Sequence, residues 1–229
     1  MPENGGTVDI KNNWTDYWQK EGAGGEVYVN KDGGKSPVLS NFWREQFSKL
    51  GNVKNNNKII DIASGAGSIF ANLPEHHSFT LFAADVSQHA LEQLKLRIDN
   101  VTTVTCGADK VPFDNCYFDT VVSQYGMEYA GLNAFNEAAR LVAVDGVLIV
   151  ICHYENGQID SRNQVELQGA YLAKKLEFID RAILVSKTSF AAKEHELKQA
   201  FDSFIEVEPK LAAYCTKHPS GVHSYLYAG

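Results

Sequence analysis

Apolar residues along the chain alternate between short β-branched runs and stretches with helical spacing. Ile59, Ile60 and Ile62, then Phe79 to Ala84, Val101 to Cys106, Thr120 to Ser123 and Val147 to Cys152 read as five strands. Between them lie helical patterns. Ser36 and Pro37 open the first, with Leu39, Phe42, Trp43, Phe47 and Leu50 on one face and Gly51 as its stop. Ile69, Phe70 and Leu73 suggest a short helix after the first strand. Ser87 opens another through Leu91, Leu94 and Ile98. A fourth begins near Asn133, runs through Phe135, Ala138, Leu141 and Val142, and stops at the turn pair Asp145–Gly146. Strands alternating with helices predict an α/β domain with a mostly parallel sheet. The fifth run, apolar throughout, reads as a strand buried on both faces.

The flanks are less regular. Residues 1–35 are rich in Gly and Asn yet hold Trp14, Tyr17, Trp18 and Tyr28, with turns at Gly22–Gly25 and Lys31–Gly34. Trp14 and Trp18 are four apart and would share a helix face. They either pack on the core or fold over a binding turn as a lid. After the fifth strand comes a helical insertion at about 155–190, where Ser161 and Gln164 form a capping-box pattern. Leu172, Leu176, Ile179 and Ile183 would line one face of a single long helix. A further helix is expected over about Ala191–Phe201, and Phe204–Val207 and Ser224–Tyr227 read as two last strands. Residues 36–229 are thus taken as one domain.

Composition narrows the function classes. The chain has 229 residues and a net charge of −7, from 21 Lys+Arg against 28 Asp+Glu. A large nucleic-acid or anionic-membrane surface would need the opposite sign. The cysteines, Cys106, Cys116, Cys152 and Cys215, show no metal-ligand spacing, so no metal is expected. No signal peptide or membrane-spanning stretch is read, and the cytoplasm is the expected compartment.

Candidate chemistry centres on Lys58–Ser68. Asp61 interrupts the apolar run near the strand's end, and Ala63, Ser64, Gly65, Ala66 and Gly67 follow, all small. A tight turn of small residues ahead of a helix lets a ligand approach the backbone. A dinucleotide fingerprint, G-x-G-x-x-G, would need a small residue where Phe70 stands. Asp85 closes the second strand, 24 residues after Asp61 (85 − 61). A carboxylate there can accept from both ribose hydroxyls of an adenosine.

Asp61-Ile-Ala-Ser-Gly-Ala-Gly67 resembles the D-x-G-x-G-x-G motif of class I S-adenosylmethionine (SAM) methyltransferases, with Ala63 in place of the first glycine. The resemblance continues through Asp85, Asp109 after the third strand, and Pro112, Phe113, Phe118, Asp119, Val121 and Ser123, a P-F…F-D-x-V-x-S pattern. It covers most of Lys58–Tyr154. It implies a three-layer sandwich with a doubly wound, seven-stranded, mostly parallel sheet ending in an antiparallel pair. It also implies a cofactor site of Asp61, Ala63, Ser64, Gly65, Gly67, Asp85, Val86, Ala108, Asp109, Ser123 and Gln124, with Asp109 on the adenine amino group. The N-terminal Trp-x-x-x-Trp is similar to thiopurine-type methyltransferases, where that region helps close the cofactor site, so Trp18 joins the set.

The expected reaction is in-line methyl transfer from SAM, leaving S-adenosylhomocysteine (SAH), to a small-molecule acceptor. Tyr125, Glu128 and His153 are its catalytic candidates. Tyr125 could face the sulfonium as a cation–π partner. Glu128 either binds a cationic substrate, acts as a base, or is a solvated carboxylate at a helix start. His153, at the end of the fifth strand, is a base, a substrate contact or a structural residue. The insertion would cover the site or form a homodimer contact. Three other classes remain: a SAM-binding protein without transfer activity, a Rossmann oxidoreductase using NAD, and an RNA or protein methyltransferase.

Overall fold

The computed structural model describes residues 10–20, 37–53, 56–191 and 194–219. Ser36, the turns at Gly22–Gly25 and Lys31–Gly34, and the strand expected at Ser224–Tyr227 lie outside them. The chain divides into two units, Met1–Cys152 and His153–Gly229.

The β-branched runs of the first unit become strands β1 (Lys58–Ile62), β2 (Thr80–Asp85), β3 (Val101–Thr105), β4 (Phe118–Gln124) and β5 (Val142–Ile151). They form one sheet in the order β3-β2-β1-β4-β5, with every pairing parallel. Helices α1 (Ile10–Lys20), α2 (Pro37–Val53), α3 (Gln88–Arg97) and α4 (Leu132–Leu141) complete the unit. Parallel strands need crossovers, and α3 and α4 supply two of them.

Strand residues alternate between two buried clusters, which makes three layers. Ile59, Leu81, Ala83 and Val122 pack with Trp43 and Phe47 of α2 and Leu91 and Leu94 of α3. Ile60, Ile62, Phe82, Ala84 and Val121 pack with Ala134, Ala138 and Leu141 of α4. Each large side chain so buried contributes about 1.5–3 kcal/mol. The chain leaves β1 toward β2 on one side and places β4 on the other. The carboxyl ends of β1 and β4 therefore flank the sheet's topological switch point, where open α/β sheets bind ligands.

The structure corrects several expectations. Among the described residues the sheet has five strands, not seven. Phe204–Val207 is helical, inside α7 (Glu194–Lys217). Phe204, Val207, Leu211 and Cys215 share one cluster at helical spacing, and that period overrides the local β-branched pattern. The helix expected after Gly67 is a single 3₁₀ turn, Phe70–Asn72. Asp145 and Gly146 do not separate α4 from the strand. They sit within β5 at a register irregularity, where Phe118–Thr120 spans the same stretch as Val142–Val147, and Asp145 takes a φ of 64°. Among the described residues β5 is the edge strand and exposes Val144, Val147 and Leu148, so there it is not buried on both faces.

The second unit contains α5 (Gln158–Lys175), α6 (Phe178–Phe190) and α7. The expected single helix breaks at Glu177, which is left-handed (φ 53°). Leu172 and Leu176 consequently join Ala173, Phe178, Val207 and Leu211 in a small core, while Ile179 and Ile183 are exposed. The expected capping box is displaced. α5 starts at Gln158, and Asp160 accepts from the Asn156 amide (2.8 Å) and from Gln164 Nε2 (2.8 Å). No helix among the described residues is long and apolar enough to cross a membrane.

Candidate active site

β1 delivers Asp61 to the switch point. Its side chain is fully buried, and neither carboxylate oxygen has a hydrogen-bond partner. Burial, and then the neighbouring Asp85, push its pKa well above the usual carboxylate range. An acceptor-only group left unpaired inside a protein costs about 1–3 kcal/mol or more, so this orphan marks a place for a donor or cation. The Ser64 hydroxyl beside it is buried and also without a partner.

The loop after β1 is built for close approach. Ala63 takes a φ of 57° and Gly65 a φ of 51°. The Ser64 amide donates to Ala84 O (3.1 Å), fastening the loop to β2, and the Gly67 amide donates to Ser64 O (3.0 Å). Asp85 holds the same loop from the neighbouring strand. Its Oδ2 accepts from the Gly65 amide (2.8 Å) and its Oδ1 from the Ser87 amide (2.8 Å). Burial raises the Asp85 pKa, opposed by hydrogen bonds from the Ser87, Gly65 and Val86 amides. Ser87 also caps α3 by accepting from the Ala90 amide (3.3 Å).

β4 forms the opposite wall. Ser123 Oγ donates to Ile62 O (2.7 Å), tying the two strand ends together. Gln124 Oε1 accepts from Trp43 Nε1 of α2 (2.6 Å), and its Nε2 donates to Ser68 Oγ (3.3 Å). Tyr125 is left-handed (φ 53°), and its amide donates to Ile151 O of β5 (2.7 Å). Gly126 then passes so close to Ala63 that an added Cβ would lie 2.5 Å from the Ala63 Cβ. Glu128 follows in a 3₁₀ turn, Met127–Ala130, and accepts a hydrogen bond from the Cys152 thiol.

α1 packs on α3 and lays its aromatic residues along this rim. A Cβ added at Gly65 would overlap the Trp18 ring. Trp14 meets Tyr129 edge-on, with centroids 5.3 Å apart. Trp18 of α1 thus sits on the glycine loop and Trp14 on the turn after β4. At the carboxyl end of β3, Ala108 is buried and Asp109 is exposed, its Oδ1 2.5 Å from where a Gly107 Cβ would stand.

Asp61, Ala63, Ser64, Gly65, Asp85, Ser123, Gln124 and Trp18 thus come together around the β1 and β4 ends, with Val86 joined through Asp85. Gly67 (φ 85°) packs its backbone on Leu94 of α3. Asp109 and Ala108 lie at the neighbouring end of β3. His153 is the first residue of the second unit.

Supporting residues carried weaker sequence signals. Arg97 donates to Ala66 O (2.9 Å) from the last turn of α3. Arg140 binds Glu137 (2.7 Å), Phe113 O (2.8 Å) and Val111 O (3.1 Å), while Glu137 accepts from the Val111 amide (2.7 Å). This clamp holds the Pro112–Phe113 segment that leads into β4. Asp119 of the same pattern accepts from the Lys58 amide (2.9 Å), joining β4 to the start of β1.

Comparison with known proteins bears on this arrangement. Residues 59–146 match the protein family described as methyltransferase domain. No curated protein matches the chain. Among solved structures, geranyl diphosphate C-methyltransferase from Streptomyces coelicolor A3(2), determined with Mg²⁺, geranyl diphosphate and SAH, is 15% identical over 71% of this chain and 73% of its own, with a TM-score of 0.53. A Haloferax volcanii protein solved in complex with the Trm112 methyltransferase activator is 17% identical over 66% of this chain and 65% of its own, with a TM-score of 0.51. The YcgJ protein of Bacillus subtilis is 18% identical over 58% of each chain, with a TM-score of 0.45. The chain therefore spans less than two thirds of the length of two of these three proteins. The family match covers β1 through the bulge of β5, the stretch that builds the switch point, so residues 59–146 are similar to a methyltransferase domain.

Proposed function

We propose that this chain transfers a methyl group from SAM to a small-molecule acceptor. The observation that carries the reading is the fully buried, unpartnered Asp61 carboxylate beside Asp85 at the switch point. SAM presents donors and positive charge: an ammonium, ribose hydroxyls and a sulfonium. Two buried acceptor-only carboxylates suit such a ligand. They do not suit a dinucleotide pyrophosphate, which would bring negative charge beside them. A dinucleotide loop also leans on the N-terminus of a long helix, and here only the 3₁₀ turn Phe70–Asn72 follows Gly67.

In this reading Asp61 and the Gly65 loop hold the amino-acid end of SAM, Asp85 the ribose, and Asp109 with Ala108 the adenine. Trp18 and Tyr125 enclose the reactive centre, and Glu128 is the group available to take a proton. SAM supplies an activated methyl group. The protein aligns acceptor and donor and excludes water, and alignment alone can lower the barrier by about 7–11 kcal/mol. A cytoplasmic setting is part of the proposal. So is self-association through the helical unit, whose Ile179, Ile183, Leu184 and Phe201 are exposed.

Isothermal calorimetry with SAH and, separately, NAD tests the reading. Micromolar SAH binding with none for NAD is the expected outcome. NAD binding without SAH binding would overturn it. A methyl-transfer screen over small metabolites then separates an enzyme from a SAM-binding protein without activity.

A further inference from the structure

We propose that Glu128, together with the rings of Trp14, Tyr17 and Tyr129, binds a protonated amine, so that the methyl acceptor is an organic amine; this rests on the methyltransferase reading. Glu128 lies four residues beyond Gln124, on the rim after β4, and is half-buried. α1 brings the rings of Trp14 and Tyr17 to its neighbour Tyr129. Trp14 and Tyr129 meet at 5.3 Å and 67°, and Trp14 and Tyr17 at 5.8 Å and 82°. Rings packed edge-to-face leave their faces unstacked on one another, and the face carries the negative lobe of the quadrupole. Trp14 and Tyr17 are half-buried and Tyr129 is 50% exposed, so a ligand can reach them. Ring faces with a carboxylate beside one of them attract a cation.

Tyr129 and Cys152 beside Glu128 add no positive charge. Burial, then Glu128 and Tyr17, raise the pKa of the Tyr129 phenol. Burial, then Glu128, push the Cys152 thiol up to about 11. Both groups stay protonated and neutral at pH 7. An anionic acceptor would meet Glu128 here and Asp61 and Asp85 along the same rim. A protonated amine must lose a proton before it can accept a methyl group. The N–H bond breaks, its electron pair stays on nitrogen, and the proton passes to the Glu128 carboxylate.

The test is calorimetric titration of the SAH-saturated full chain with phenethylamine, 3-phenylpropionate and 2-phenylethanol, which share a shape and differ in charge. Because SAH lacks the sulfonium charge, the cation site is free to report on the amine. The amine should bind about tenfold tighter than either analogue. Glu128→Gln should remove that preference while SAH affinity is unchanged. Tyr129→Leu, at a half-exposed position, should weaken phenethylamine severalfold and leave SAH binding intact. Equal affinity for the three probes, or no amine binding to protein that binds SAH, would overturn the proposal. Loss of SAH binding in folded Glu128→Gln would assign the group to the cofactor and overturn it as well. If the wild type takes up no SAH, the methyltransferase reading fails first, and the same titration without SAH still decides the cation site.

Discussion

Ala63 and Gly126 form a coupled pair whose energies can be worked out from their geometry. Ala63 stands where the resembled motif has glycine, and it adopts the conformation that motif requires, with φ at 57°. A left-handed L-residue costs about 1–2 kcal/mol from the contact between Cβ and the following carbonyl oxygen. Ala63→Gly removes that strain but loosens the unfolded chain by about 0.4–1 kcal/mol. The net expectation is a stabilisation of about 0.5–1 kcal/mol. Gly126→Ala has a different origin of cost, since Gly126 itself has a φ of −136°, open to any residue. Its new Cβ would lie 2.5 Å from the Ala63 Cβ and 2.9 Å from Ala63 O. Such overpacking costs about 1–3 kcal/mol. In the double variant the methyl–methyl overlap vanishes and only the carbonyl contact remains, giving a coupling energy of about 1 kcal/mol in favour of the pair.

The assay is thermal unfolding followed by tryptophan fluorescence. All three tryptophans, Trp14, Trp18 and Trp43, lie in the first unit, so the signal reports the unit that holds the pair. For a chain of this size about 1 kcal/mol moves Tm by ~2–4 °C. Ala63→Gly should therefore raise Tm by about 1–4 °C and Gly126→Ala lower it by about 2–12 °C, with the double variant above the sum of the two shifts. A neutral or destabilising Ala63→Gly, or strictly additive shifts, would refute the strain argument.

Asp61→Asn should stabilise the protein near neutral pH while reducing SAH affinity. A carboxyl group whose folded pKa is raised binds more protons in the native state, so its stability contribution falls as pH rises from the ordinary aspartate value of about 4 toward the raised folded value. Urea midpoints against pH should slope downward over that window in the wild type and flatten in the variant; parallel slopes would exonerate Asp61. Gly65→Val should abolish SAH binding and shift tryptophan emission, since its side chain must displace the Trp18 ring; a folded variant with full affinity would count against the whole site. Arg140→Ala should lower stability by about 2 kcal/mol, because the backbone carbonyls of Val111 and Phe113 lose charged donors. An unchanged urea midpoint would show that the Pro112–Phe113 segment holds without the clamp.

The central sheet was legible because its strands carry their signal locally. Ile59, Ile60 and Ile62 are β-branched and buried on both faces, so a short run suffices. Asp61 stood out as the one charge in that run, and its isolation in the structure is the physical form of that signal. The misread elements depend on longer windows. Ile205 and Val207 look like a strand over four residues, yet Phe204, Val207, Leu211 and Cys215 keep one helix face buried across three turns. The break at Glu177 was hidden because Leu172, Leu176, Ile179 and Ile183 keep helical spacing across a residue that is left-handed. The role of Trp43 was illegible for another reason. Its spacing correctly placed it in the core of α2, and only the tertiary structure aims its one polar atom at Gln124.

Asp85 shows why cofactor binding and stability should be hard to separate at this rim. Its two oxygens accept from the Gly65 and Ser87 amides, so one carboxylate fixes both the glycine loop and the entry to α3. A ribose hydroxyl would use lone pairs those amides leave open, because an ionised carboxylate has about four acceptor sites. Asp85→Ala would therefore remove ligand contacts and orphan buried amides at the same time. Asp85→Asn is the sharper probe. It keeps one acceptor oxygen for the backbone and replaces the other with a donor facing another donor. Its effect on SAH affinity should exceed its effect on Tm if Asp85 meets the ribose, and should track Tm alone if Asp85 only supports the loop.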